Sequence, residues 1–133
     1  LYIVGNVYFI GGITMSKLQA LYSDALPESA ATPGITRYLA FEGEGYRILR
    51  SRTDPGVISG WHHHGDYEVY GFVVSGSGRF EDDQGGAVSL GPGDFVHVPP
   101  HTVHREINPS TDKGNEMILF LRGTGTMVFN LED

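Results

Sequence analysis

Turn punctuation constrains this chain more than any other feature. From Ile35 onward, β-rich runs are cut at Asp54-Pro55-Gly56, Gly76-Ser77-Gly78, Asp83-Gln84-Gly85-Gly86 and Gly91-Pro92-Gly93-Asp94. Glycine supplies positive φ and proline presets a turn, so each cluster stops a strand and reverses the chain. The 19 glycines and 7 prolines among 133 residues leave little room for uninterrupted helix. The runs between them are Thr36–Phe41, Tyr46–Arg52, Gly60–His64, Glu68–Ser75, Ser77–Glu81, Ala87–Leu90, Phe95–Val98, Thr102–Ile107, Glu116–Leu121 and Thr126–Phe129. About ten short strands so punctuated predict an all-β sandwich, barrel or jelly roll.

Length and charge narrow the function. A chain of this size holds one core and a small pocket, so a single domain over 1–133 is expected, with a core barrel over about 35–130 and an extension over 1–34. Nine Lys and Arg against 16 Asp and Glu give a net charge of −7, which repels nucleic acid and anionic membrane; neither is expected as a partner. The absence of cysteine excludes disulfides, thiolate ligands, iron–sulfur clusters and a Cys nucleophile, and it fits a cytoplasmic location.

Leu1–Met15 is apolar but interrupted by Gly5, Asn6, Gly11 and Gly12, too short to span a bilayer and without a basic start. Two readings stay open: a strand over Leu1–Ile10 that joins the sheet or swaps onto a neighbouring subunit, or residues ahead of a start at Met15-Ser16-Lys17. Ser16–Tyr22 is predicted as one short helix capped by Ser16, and Asp24–Gly34 as a surface connector.

All six histidines fall between positions 62 and 104. His62 and His64 are two apart on a predicted strand, so alternation puts both on one face, and Glu68 can return a carboxylate to it. A third imidazole must come from a neighbouring strand, with His101 and His104 as candidates. Such a set suits Fe(II), Mn(II), Ni(II), Co(II) or Zn(II). His63 points the other way, to the surface or a subunit contact, and His97 receives no role. His62-His63-His64-Gly65-Asp66-Tyr67 also resembles the HxHxDH pattern of metallo-β-lactamase-like hydrolases, but the chain lacks the helices of their sandwich.

Two longer motifs resemble those of cupins. The first has the form G-x5-H-x-H-x(3,4)-E-x6-G, and Gly56-x5-His62-x-His64-x3-Glu68 follows it, with Gly76 after seven residues instead of six. The second has the form G-x5-P-x-G-x2-H-x3-N. Gly93-x5-Pro99-x-His101-x2-His104-x3-Asn108 matches it except that His101 replaces a glycine. The resemblance implies a jelly-roll barrel with one divalent transition metal on His62, His64, Glu68 and His104. The extra residue before Gly76 implies a β-bulge, which makes a three-His site the fallback. Residue 101 must adopt a turn conformation that His tolerates less easily than Gly.

Strand alternation suggests Arg47, Tyr70, Phe72, Met117 and Phe120 as lining of a substrate pocket. Glu68 and Tyr70 are the candidate catalytic groups, Glu68 either ligating or moving a proton, with Tyr70 or Asp66 behind the ligands. The resemblance implies an enzyme acting on a small organic molecule, with dioxygenase-like chemistry first and isomerase or decarboxylase chemistry beside it. A non-catalytic ligand-binding or sensing module is the alternative. A homodimer is expected by the same analogy.

Overall fold

Strand alternation builds the core. The computed structural model describes residues 2–4, 7–10 and 13–132, with side chains from residue 17 onward. The longest alternation is Asn115–Arg122, in which Asn115, Met117, Leu119 and Leu121 are buried and the residues between them face outward. A strand with one apolar row must lay that row against a second layer, and two sheets supply it.

In chain order the strands are β1 (Tyr2–Val4), β2 (Val7–Ile10), β3 (Ile13–Ser16), β4 (Ile35–Gly43), β5 (Tyr46–Thr53), β6 (His62–His63), β7 (Glu68–Ser75), β8 (Gly78–Asp82), β9 (Ala87–Leu90), β10 (Phe95–Val98), β11 (His104–Ile107), β12 (Asn115–Arg122) and β13 (Phe129–Asn130). One five-stranded sheet runs β10-β7-β12-β5-β4 and the other β13-β6-β11-β8-β9. Every pairing is antiparallel. Between them pack Leu49, Tyr67, Val69, Val73, Phe80, Val98, Met117, Leu119, Leu121 and Met127. The all-β expectation holds, and all ten predicted runs overlap an observed strand.

Two expectations change. Ser16 ends β3, and residues 17–22 form no helix. Leu18 is 99% exposed and Tyr22 71%, so a two-turn helix there would have no buried face to support it, and helices that short do not hold themselves. The apolar start forms a meander in which β2 pairs with β1 and β3, separate from the two sheets. Leu1 itself lies outside the described residues.

The expected bulge is present. Across the β7–β12 ladder Glu116 pairs with Ser75 and Met117 with Val73, so Val74 is the extra residue. It lies at the Gly76 end of β7, far along the strand from Glu68. The turn at residue 101 is also as expected: His101 adopts φ 58, the left-handed conformation the motif's glycine would supply.

Candidate metal centre

Three histidines converge because two neighbouring strands put them in register. His62 on β6 is the Cα partner of His104 on β11, and His64 follows two residues after His62. All three are buried, His62 completely. One ligand nitrogen from each lies within 4.8 Å of those of the other two. The rings are close, with centroids 4.3 Å apart for His62 and His104 and 5.2 Å for each pair with His64.

Their backs are tied down in one way. His62 Nδ1 lies 2.9 Å from the Gly60 carbonyl, His64 Nδ1 2.9 Å from the Met127 carbonyl and His104 Nδ1 2.8 Å from the Thr102 carbonyl. A carbonyl only accepts, so each Nδ1 carries the proton and donates it. In the neutral ring this leaves the lone pair on Nε2, as a metal-ligating imidazole requires. His104 Nε2 is buried without a hydrogen-bond partner, and a buried polar atom of that kind costs free energy unless something binds it.

Electrostatics keep two of the rings, His64 and His104, neutral. Burial first, then the neighbouring His104 and His62 and the Arg37 charge, hold His64 down to about 3, against a weaker opposing pull from its Met127 hydrogen bond. Burial and His62 likewise hold His104 down to about 4. Three imidazoles with their Nδ1 atoms bonded to carbonyls and their remaining nitrogens within 4.8 Å of one another could hold a divalent ion, so the donor set fits one.

Two charged groups that no sequence motif marks lie beside the triad. Arg37 on β4 is 1% exposed, with Nη2 3.4 Å from His62 Nε2. Glu106 on β11 is also buried, with Oε2 3.6 Å from the same nitrogen. Burial works to raise the Glu106 pKa, but His62, Arg37 and His104 overcome it and hold the carboxyl at about 2. The signal for Glu106 was present, since it follows His104 by two and must share its face. Arg37 follows buried Ile35 by two in the same way. Neither stands out in the sequence, because a charged residue is by default a solvated one.

The other predicted site residues divide by strand face. Glu68 does not join the triad. Its carboxylate receives hydrogen bonds from His97 Nε2 at 2.6 Å and Arg122 Nη2 at 2.7 Å. Tyr70, His97 and Arg122 hold its pKa below the usual carboxylate range, and Glu68 in return raises that of Tyr70. Along β7 the buried row is Val69, Gly71 and Val73, so Glu68, Tyr70 and Phe72 lie on the outer row. Tyr70 is 42% exposed and stacks on His97, and Phe120 is likewise outward. Met117 is in the core, and Arg47 shares the buried parity of β5 at its Tyr67 end, 5.9 Å from that ring. Asp66 accepts from the exposed His101, and His63 stacks on Phe129, both outside the triad. A cleft of about 130 Å³ lined by Phe80, Asp82, Val96, Val98 and Thr102 reaches His104.

A family model described as a cupin domain matches residues 49–120, over half of the chain. The chain belongs to the cupin family. Solved structures agree on the fold. KdgF from Halomonas sp. is 24% identical, with a TM-score of 0.64, covering 78% of this chain and 94% of that one. The polyketide cyclase RemF from Streptomyces resistomycificus is 16% identical, with a TM-score of 0.72 and coverage of 88% and 87%. A single-substitution variant of Streptomyces PAC13, solved with uridine, is 19% identical, with a TM-score of 0.70 and coverage of 89% and 93%. A search of curated proteins finds no match. This cupin thus has the jelly-roll architecture expected of it, while its chemistry has to be argued from its own residues. Among the described residues no helix is long and apolar enough to cross a membrane.

Proposed function

We propose that this cupin is a metal-dependent enzyme acting on a small organic molecule by proton transfer, as an isomerase, lyase or cyclase. The observation that carries the reading is the buried, unpartnered Nε2 of His104, facing two further imidazoles whose Nδ1 atoms are spent on backbone carbonyls. A bound divalent ion supplies Lewis acidity that polarises a substrate oxygen. His62, His64 and His104 would hold it, all three buried in the core. Glu106 is an ionised carboxylate beside the triad, whose Oε2 can accept a substrate proton only in passing and return it at once. The small cleft reaching His104 favours a substrate of few atoms.

Names among the neighbours support chemistry without O₂: a polyketide cyclase and a sugar phosphate isomerase. Three imidazoles also suit Fe(II), which makes dioxygenase chemistry the second reading. A homodimer remains the proposed assembly, through the outer aromatic row in which Tyr46 and Tyr70 lie on either side of Phe120. Sedimentation of the wild type and a Phe120→Glu variant checks it.

The test of function is elemental analysis of untagged protein with His62→Ala and His104→Ala, followed by turnover assays with an oxygen electrode. About one divalent ion per chain, absent from both variants, with turnover and no O₂ uptake is the expected result. Turnover that consumes O₂ replaces proton transfer with the dioxygenase reading. Metal without any turnover makes the protein a binding module, and no metal in any form overturns the proposal.

A further inference from the structure

Arg37 is held by one side only. Its Nη1 donates to the Thr32 hydroxyl at 2.9 Å and to the Ala30 carbonyl at 3.1 Å, which fixes the guanidinium in the interior. Its Nε is buried with no partner at all. Its Nη2 has only His62 Nε2, at a long 3.4 Å. Among the described residues no carboxylate forms an ion pair with it, and the Glu106 carboxylate lies against His62 instead. A buried cation with one edge of its fork unsatisfied is costly, and burial pulls the Arg37 pKa below its ordinary value against the opposing charge of Glu106.

That unsatisfied edge is the one that matters chemically. Nε–H and Nη2–H point along the same side of the guanidinium, the side that meets both oxygens of a carboxylate in a paired hydrogen bond. His62 has a single lone pair on Nε2, because Nδ1 donates its proton to the Gly60 carbonyl. A guanidinium N–H and a metal ion are therefore rivals for it. Once the metal has it, both donors of the edge are free.

Resting on the metal reading above, we propose that Arg37 is the anion anchor of the site and that its ligand is a small organic acid. With the His62 lone pair committed to metal, the Nε–Nη2 edge takes the acid's carboxylate. Arg37 thereby selects a carboxylate over a neutral analogue of the same size. The same geometry gives it two opposed effects. It weakens metal binding, by competing for His62 and by its charge, and it strengthens acid binding to the loaded protein.

The test uses the full chain, Zn²⁺, and lactate with lactamide as its neutral counterpart. Zn²⁺ affinity is measured by competition with a chromogenic chelator, and acid affinity by calorimetry on Zn²⁺-loaded protein. Arg37→Met is expected to bind Zn²⁺ on the order of tenfold more tightly and lactate on the order of a hundredfold more weakly, with lactamide unchanged. Arg37→Lys keeps the charge without the fork, and lactate binding should fall on the order of tenfold. The wild type supplies a measurement independent of any variant's folding. The Arg37 Nε–H signal in ¹⁵N spectra should move when Zn²⁺ is added and again with lactate. Zn²⁺ uptake by the wild type with no movement of that signal, or with equal lactate affinity in the variants, overturns the role of Arg37 alone. Failure of the wild type to take up Zn²⁺ overturns the metal reading itself.

Discussion

The inner and outer histidines of this protein are the same residue put to opposite uses. His62, His64 and His104 face the interior and bind backbone carbonyls through Nδ1. His97 and His101 face solvent and bind the carboxylates of Glu68 and Asp66 through Nε2, at 2.6 and 2.8 Å. A carbonyl accepts the Nδ1–H and leaves Nε2 to face the other rings. A carboxylate at Nε2 occupies the nitrogen that the inner rings leave open. What a histidine can do is thus set by the partner behind it, and counting histidines in a motif does not reveal it.

The sharpest way to break this contrast is to delete one member of each set. His104→Ala or His62→Ala should lower divalent metal affinity by at least about a hundredfold, while His97→Ala or His101→Ala keeps it. Elemental analysis after dialysis against dilute chelator measures both. Equal losses from inner and outer variants would remove the basis for separating the two sets.

Acid separates them next. His64 and His104 have folded pKa values of about 3 and about 4, below the ordinary 6.5 of the unfolded chain. Below 6.5 the unfolded state therefore binds more protons than the native one. Stability of the metal-free protein should be level above 6.5 and fall as the pH drops from 6.5 toward 4. Glu106, at about 2 against 4.5, contributes stability above 4.5 that is lost as the pH falls from there toward 2. The lowered Glu68 likewise belongs below 4.5. Urea midpoints between pH 7.5 and 4.5 therefore carry the contribution of His64 and His104, separate from that of the two carboxylates. A His64→Gln, His104→Gln double variant should flatten that slope; an unchanged slope would place the titrating groups elsewhere.

A smaller effect is expected at Glu68. Glu68→Gln should leave metal content unchanged and lower the unfolding midpoint only slightly, because its partners His97 and Arg122 stay in solvent. Loss of metal in that variant would return Glu68 to the centre.

Much of the fold was legible because turn residues act locally: Glu68–Ser75, Ala87–Leu90 and Phe95–Val98 begin and end where glycine and proline clusters say they must. The three histidines were legible too, since strand parity and motif spacing agree. Glu68 was misplaced by one residue of parity. The motif allows three or four residues after His64, but on a strand those spacings face opposite ways. The three-residue position is Glu68 and faces out, whereas the four-residue position is Val69, 3% exposed. The same slip put Tyr70, Phe72 and Phe120 in the expected pocket. Arg37 was beyond reach for another reason. Its approach to His62 spans 25 residues and depends on how the two sheets close, which no local pattern encodes.

The finest prediction concerns His101, which ties the outer set to the motif itself. It holds φ 58 where the motif has glycine, a conformation that costs an L-residue roughly 1–2 kcal/mol. His101→Gly removes that strain. It also forfeits the exposed bond to Asp66, worth little in solvent, and gives the unfolded chain more freedom at a cost of about 0.4–1 kcal/mol. The terms nearly cancel, so stability should change by less than about 1 kcal/mol, with metal content unaffected. Gly65 has nearly the same φ, 57, but an added Cβ would sit 2.7 Å from the Phe129 ring. Gly65→Ala therefore adds strain and a clash together and should destabilise by more than about 1 kcal/mol. If both substitutions prove neutral in urea, the left-handed turns are not under the strain their angles imply. If His101→Gly alone is costly, the Asp66 contact matters to the fold, and the outer histidines are more than surface pairs.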